Sequence, residues 1–289
     1  MKIAMSGATG FVGSQLRKSL EQDGHEIIGL GRDAFAGAEE ALTQRLDGCQ
    51  AVINLAGEPI NRRWTRAYKD RIRTSRVETT GKLLGAMGIL ERKPAIFIST
   101  SAIGAFATCG RYTERDTPNA TDFLGQLSHD WEEAAMKAEE LGIRTLIFRF
   151  GLVLGSGGGL MKQLLFPFKL GLGGPVGDGR QHFSWVHVDD LVAAYRHALA
   201  NEAMSGVYHL CAPNPVSNLE FTRQLGEVLH RPTLLPVPSL LLKLIYGEGA
   251  GVMTSGQCLV SERLPEAGFS FGYPDLGPAL KAIVEKARS

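Results

Sequence analysis

Lys2-Ile3-Ala4-Met5-Ser6-Gly7-Ala8-Thr9-Gly10-Phe11-Val12-Gly13 opens the chain with an apolar run that breaks into three evenly spaced glycines. The run reads as a strand and the glycines as a tight turn, and Val12, Leu16 and Leu20 recur behind them at a helical interval. Glycine has no Cβ. At positions 7, 10 and 13 the backbone can therefore turn sharply out of the strand and bring its amides close to a pyrophosphate at the helix N-terminus. The spacing is GxxGxxG rather than GxGxxG, and a glycine-rich turn before a helix also serves purely structural ends. Two features of context favour a dinucleotide cradle built from Gly7, Thr9, Gly10, Phe11, Val12 and Gly13: its place at the start of the chain, and a second strand, Glu26-Ile27-Ile28-Gly29-Leu30, after the helix stop at Asp23-Gly24.

That second strand runs into Gly31-Arg32, where two nicotinamide cofactors can be told apart. A carboxylate here hydrogen-bonds a ribose 2′-hydroxyl and repels a 2′-phosphate, whereas a guanidinium pairs with the phosphate. Arg32 favours NADP(H) over NAD(H), against the plainer reading of a solvated arginine with Asp33 beside it. Ala51-Val52-Ile53-Asn54-Leu55-Ala56-Gly57 is a continuous apolar run ending in small residues, as in a buried parallel strand whose C-terminal end faces a ligand. Leu55, Ala56 and Gly57 are expected against the cofactor.

Strand and helix patterns alternate through the first half of the chain. Ala34 to Gly48 reads as one helix, leaving little room for an independent third strand, and Asn61 to Gly88 as a long, largely solvated helix. Ala95 to Ser99 is a buried strand ending in Thr100-Ser101-Ala102, Asp122 to Gly142 a helix, and Arg144 to Arg149 a strand. The expected fold is α/β, a Rossmann-like doubly wound parallel sheet over residues 1–150, with about 185–212 returning to it. A smaller C-terminal substrate lobe takes up 151–289. Its dense glycines between Gly151 and Gly179 suggest mobile loops, followed by a strand at Val207 to Leu210, a helix at Leu219 to Leu229 and an apolar helix at Pro236 to Tyr246.

Over 289 residues, 31 lysines and arginines meet 30 aspartates and glutamates, so no basic footprint for nucleic acid exists and small-molecule partners are expected. Met1 runs straight into the first strand without room for a leader, and no apolar segment reaches membrane-spanning length. A soluble cytoplasmic protein with no membrane partner, able to form a homodimer, is the expectation. Cys49, Cys109, Cys211 and Cys258 lack metal-ligand spacing and read as reduced structural thiols, with no metal site.

Gly7 to Gly13, Asn54-Leu55-Ala56-Gly57, Ser99-Thr100-Ser101-Ala102 and Trp185-Val186-His187-Val188-Asp189-Asp190 together resemble the extended short-chain dehydrogenase/reductase superfamily, over almost the whole chain. Its best known members are nucleotide-sugar epimerases and dehydratases. Glu58-Pro59-Ile60 with Arg63-Trp64, Gly171-Leu172-Gly173-Gly174-Pro175, Gly256-Gln257 and Glu266-Ala267-Gly268-Phe269 resemble one atypical branch, the epimerase-like family with a C-terminal domain of unknown function.

The resemblance implies a cofactor contact at Ser99. It makes Ser101 the catalytic-type serine at the end of the family's fifth core strand, where a hydroxyl meets the oxygen of a reacting carbonyl or alcohol. A strand-end serine is equally a common cap. The family's chemistry also needs a tyrosine, and a lysine four residues on whose charge lowers the phenol pKa from about 10. Aligning Glu132 with the acidic residue that follows that pair puts Leu124 and Ser128 in the two places, and Asp122 to Met136 holds neither tyrosine nor lysine. Tyr112, in the loop before this helix, is the nearest substitute, against the plainer reading of a packed ring; His129 reads as a helix-surface histidine.

On the substrate side, Phe183 replaces the arginine that grips a diphosphate in sugar-nucleotide enzymes, which suggests a less charged ligand. Arg180 can substitute only if its loop is repositioned, and Arg149 either reaches a phosphate or pairs with a carboxylate. His187 and Asp189-Asp190 read as a buried polar brace and a helix N-cap. Two functions follow: an NADP-dependent oxidoreductase or epimerase acting on a small carbonyl or alcohol, or a non-catalytic NADP(H)-sensing protein that regulates a partner.

Overall fold

The computed structural model describes residues 1–108 and 110–287. Its first strands are β1 (Lys2–Ser6), β2 (Glu26–Leu30), β3 (Ala51–Asn54), β4 (Ile96–Ala102), β5 (Arg111–Tyr112) and β6 (Arg144–Phe150). The later ones are β7 (Leu152–Leu154), β8 (His182–Phe183), β9 (Trp185–His187), β10 (Gly206–Leu210), β11 (Val216–Ser217) and β12 (Cys258–Leu259). The helices of the first half are α1 (Phe11–Gln22), α2 (Glu39–Leu46), α3 (Arg66–Arg73), α4 (Thr79–Ile89) and α5 (Phe123–Met136). The second half adds α6 (Gly159–Lys169), α7 (Val188–Ala200), α8 (Asn218–Leu229), α9 (Ser239–Tyr246), α10 (Gly251–Thr254), α11 (Arg263–Glu266) and α12 (Leu276–Lys286).

Six strands pair in parallel in the order β10-β6-β4-β3-β1-β2. The chain leaves β1 toward one edge and continues from β3 toward the other, so a crevice opens at the carboxyl ends of β1 and β3, the place where such sheets hold ligands. No strand lies between β2 and β3, as the short spacing led one to expect. The segment there is not one helix: a 3-10 turn at Arg32–Phe35 is separated from α2 by Gly37 and the extended Ala38. Because this strand is missing, Ser101 ends the fourth strand of this chain rather than a fifth.

Both faces of the sheet are covered. Leu16 and Leu20 of α1 and Leu191 and Tyr195 of α7 pack on one face with Ile3, Ile53 and Phe148. Leu42 of α2, Leu83 and Met87 of α4 and Ala135 of α5 pack on the other with Val52, Phe97 and Ile147. The alternation of strand side chains between faces lets one run of apolar residues feed both cores. The segment expected as one solvated helix at 61–88 starts later, at Arg66, where the Thr65 hydroxyl caps the Tyr68 amide at 3.2 Å. It then loosens into a π-helical turn at Thr74–Glu78 before α4, and it buries Ile72, Thr80, Leu83, Ala86 and Met87 along one side.

A third core joins α6, α8 and α12 around Phe168, Trp185, Phe183 and Phe221. The glycine-dense stretch is therefore not all loop, since it contains β7 and a helix, α6, that buries Met161, Leu165 and Phe168. The apolar helix expected from Pro236 begins at Ser239, and its Leu240, Leu241, Leu244 and Ile245 are exposed. Cys49, Cys211 and Cys258 are free and buried; Cys109 lies outside the described residues. Among the described residues no helix is long and apolar enough to cross a membrane.

Candidate nucleotide site and adjoining polar cluster

Ser6, the last residue of β1, ties the two strand ends together. Its hydroxyl donates to Asn54 Oδ1 at 2.6 Å and accepts from the Leu55 and Ala56 amides at 3.2 Å each. Gly7 follows in the left-handed region at φ +68°, and a Cβ there would stand 2.6 Å from the Leu55 carbonyl oxygen. A Cβ on Gly13 would run into the Gly7 carbonyl. Both positions are thus closed to any side chain, and the turn lies flat against the β3 loop. Gly10 precedes α1 in an extended conformation. No side chain caps α1 and its first turn carries no acidic residue, so the positive end of the helix is left for an anion.

Thr9 is exposed at this turn, and Phe11 and Val12 are half-buried. The Phe11 ring is walled by glycines of the segment that follows β7. A Cβ on Gly155 would lie 2.8 Å from it, one on Gly158 would overlap it, and one on Gly159 would lie 3.2 Å away. The glycine run thus closes over the aromatic side chain that opens α1. Leu55 and Ala56 are half-buried and Gly57 is exposed along the rim. Ser99 is fully buried within β4, its hydroxyl 3.5 Å from the Thr100 carbonyl, which keeps it inside the sheet.

Arg32 is 90 % exposed and donates to Glu58 Oε1 at 3.0 Å, an oxygen that also receives Arg71 at 3.2 Å. The neighbouring Asp33 carboxylate is engaged by Arg45 at 2.7 Å, and that hydrogen bond holds it below the usual carboxylate range. Arg76, in the π-helical turn, went unremarked in the sequence. Its guanidinium donates to the Glu58 carbonyl (3.1 Å), the Ile72 carbonyl (3.3 Å) and the Ser75 hydroxyl (3.4 Å), and lies over the Trp131 ring at 5.4 Å. Burial pushes its pKa down to about 10.

Ser101 is buried and donates to Glu132 Oε1 at 2.6 Å. The same carboxylate takes Arg149 in a two-pronged bond, Nε to Oε1 at 2.8 Å and Nη2 to Oε2 at 2.7 Å. Ser101 and Arg149 are register partners on adjacent strands, which brings them to one face where α5 delivers Glu132. Arg149 thus takes the carboxylate alternative, and its Nη1 donates onward to His209 Nε2 at 3.4 Å while His209 Nδ1 donates to the Val260 carbonyl at 3.0 Å. Burial pushes the His209 pKa down to about 4 and keeps the ring neutral. Glu132 served in the sequence only as a marker of alignment. Its partners are 31 and 17 residues away, beyond any local pattern.

Leu124 packs against Gly104, whose Cβ would lie 3.0 Å from it, and Ser128 is buried on α5. Tyr112 is a packed ring, stacked on Phe106 at 4.7 Å, and its hydroxyl accepts from Asn119 at 3.3 Å. His129 is exposed beside Asp130 and Glu133. Phe183 is buried in the third core, stacked on Phe221 at 4.2 Å. Arg180 is 89 % exposed and lies 3.8 Å from Asp178 on its own turn. His187 Nδ1 accepts the Asp189 amide at 3.1 Å and caps α7, while buried Asp190 braces the Gly272 and Tyr273 amides at 2.6 and 2.9 Å.

Two family models match the chain: the NAD dependent epimerase/dehydratase family over residues 3–211, and a domain of unknown function, DUF1731, over residues 237–283. The chain is 38% identical over 304 residues to the epimerase family protein SDR39U1 homolog, chloroplastic, of Arabidopsis thaliana, covering 99% of this chain and 87% of that one. The crystal structure of the human epimerase family protein SDR39U1 with NADPH superposes with a TM-score of 0.91 at 33% identity, covering 99% of each chain. A UDP-glucuronic acid 4-epimerase from Bacillus cereus shares the fold at a TM-score of 0.79 and 17% identity, covering 100% of this chain and 99% of that one.

Proposed function

Because the chain belongs to the NAD-dependent epimerase/dehydratase family, we propose that it holds NADP(H) across the crevice between β1 and β3 and acts on a small carbonyl or alcohol. The observation that carries this reading is the glycine turn: uncapped, free of acidic side chains, and pressed flat on the Leu55 carbonyl so that a pyrophosphate can approach backbone amides. The human relative solved with NADPH supports the choice of dinucleotide. Two cations, Arg32 and Arg71, share the one Glu58 carboxylate, and Asp33 is held by Arg45, so positive charge is left over where a 2′-phosphate would lie.

When bound, NADP(H) supplies a nicotinamide that gives or takes a hydride. Ser101 then orients the ligand. Its own proton is donated to Glu132, so its oxygen offers lone pairs and accepts a hydrogen bond from an alcohol. Glu132 is itself fixed by Arg149, which sets the direction of the serine hydroxyl.

A second reading, an NADP(H)-sensing protein without turnover, is favoured by Leu124 and Ser128 standing where the family's tyrosine and lysine are expected. Thermal unfolding with each cofactor, followed by a carbonyl panel read by NADPH consumption, separates the two. At a hundred times Kd, NADPH is expected to stabilise by about 2.7 kcal/mol, roughly 5–10 °C in a domain of this size. NADH should give less, and Arg32→Ala should narrow the difference. Equal shifts, or a preference unmoved by Arg32→Ala, would remove the NADP assignment. Turnover that Ser101→Ala leaves intact would remove the serine's role, and a cofactor-binding protein inert toward every carbonyl moves the conclusion to the sensing reading.

A further inference from the structure

The Glu58 side chain, in the loop after β3, is only 13 % exposed, whereas Arg32, one of the two arginines on it, is almost wholly in solvent. Arg32 and Arg71 meet the same oxygen, Oε1, through one nitrogen each, at 3.0 and 3.2 Å. The acceptor is fixed from behind: the Glu58 amide donates to the Ser75 hydroxyl at 2.9 Å, and the Glu58 carbonyl accepts from Arg76 at 3.1 Å. Of the pair, Arg32 is the side free to move.

The order of strands says what the Arg32 bond crosses. β1 lies between β2 and β3, so a bond from just after β2 to the loop after β3 passes the carboxyl end of β1, where the glycine turn begins. The neighbouring acid, Asp33, is taken by Arg45 at 2.7 Å, and Glu58 is the carboxylate on Arg32 among the described residues. An ion pair made through one nitrogen of a side chain this exposed is weak and screened. A phosphate monoester carries close to two negative charges near pH 7 and takes a guanidinium in a two-pronged bond, so it draws Arg32 off Glu58. A ribose 2′-hydroxyl is neutral and does not. Arg71 eases the exchange, because Glu58 keeps one counter-charge after Arg32 has left.

We propose that Glu58 is a specificity-determining residue, an internal competitor whose carboxylate holds Arg32 until the 2′-phosphate of NADP(H) displaces it, with Arg71 retaining the carboxylate afterwards. The inference rests on the reading that the cleft holds NADP(H) with its 2′-phosphate at Arg32. It gives Glu58 an unusual sign: removing this side chain's charge tightens binding.

The test titrates NADPH and NADH, by their fluorescence, into wild type, Glu58→Gln, Arg32→Ala and the double variant, with folding checked by circular dichroism. Glu58→Gln keeps the shape of the side chain. It is expected to lower the NADPH Kd about three- to fivefold, the worth of an exposed ion pair, and to leave the NADH Kd within about a factor of two. In the Arg32→Ala background the same change should barely alter the NADPH Kd, because the arginine it would release is gone. An NADPH Kd that Glu58→Gln leaves unmoved or raises, in a protein whose NADPH preference does depend on Arg32, overturns the proposal alone. So does an equal gain with and without Arg32, since the carboxylate then acts on the dinucleotide as a bare charge. Failure of the cofactor reading looks different: wild type shows no NADPH preference, or Arg32→Ala leaves that preference unmoved, and the proposal falls with it.

Discussion

Glu132 gathers side chains from β4 and β6 onto one carboxylate, and its removal isolates Arg149, which is only 4 % exposed. Glu132→Ala is expected to cost about 3–5 kcal/mol, because a buried guanidinium is left without its counter-ion; urea unfolding measures it, and a loss below about 1 kcal/mol would show that solvent reaches Arg149. His209, the next group in the chain of contacts, gives the protein a pH dependence of definite sign. Its folded pKa, about 4, lies below the ordinary 6.5, so the unfolded chain binds the extra proton between those values and stability rises with pH across that window. This contribution is complete above pH 6.5 and lost as pH falls to 4, at a steepest slope of about 1.4 kcal/mol per unit. His187, lowered mainly by burial, acts in the same direction. His209→Gln should flatten the change in urea midpoint between pH 4 and 7 without removing it. At this scale the sequence told the glycines plainly, since Gly7 and Gly13 stand where any Cβ collides. It could not say that Ser99 and Phe183 are buried or that Arg180 is exposed, because whether a side chain points into the sheet, the lobe core or solvent depends on packing partners far along the chain.

Helix ends distinguish structure from site. The side chain of Asp122 caps α5 by accepting the Gly125 amide at 2.9 Å, and Asp122→Ala should cost about 1 kcal/mol with NADPH affinity unchanged. The N-terminus of α1 has no such cap. Gly10 has ordinary negative φ, and a Cβ would come 3.3 Å from the Gly7 carbonyl, tight but not blocked. Gly10→Asp therefore fills the open helix end with a carboxylate of the chain's own. The expected outcome is a Tm within a few degrees of wild type and an NADPH Kd raised tenfold or more, by thermal shift and fluorescence titration respectively; undiminished binding would place the pyrophosphate elsewhere. Strands of the central sheet were legible because each is a short apolar run bounded by turn residues, and α5 because Asp122 marks its start and Gly142 ends the 3-10 turn, Lys137–Leu141, that continues it. The π-helical turn was not, since its residues, Thr74-Ser75-Arg76-Val77-Glu78, fit an ordinary helix equally well. Nor was α6, whose glycine at the first position conceals an apolar face formed later by Met161, Leu165 and Phe168.

For the whole molecule, the doubly wound parallel sheet was implied by the alternation of strands and helices, whereas the third core was not, because its helices α6, α8 and α12 are far apart in sequence. Phe11 joins the glycine run to the sheet, and Phe11→Ala should open a gap among Gly155, Gly158 and Gly159 worth about 2 kcal/mol or more. Faster limited proteolysis at that run, slowed again by NADPH, is the expected accompaniment; unchanged cleavage would show that the run holds itself in place. The contact also bears on synthesis. β1, β2 and β3 are all complete by residue 54 and can pair as they leave the ribosome, yet the glycines that cover the Phe11 ring follow only after β6 has been made. A nascent chain halted between those points would carry paired strands and an aromatic ring still open to water, and the cleft acquires its full wall only once translation has passed residue 159.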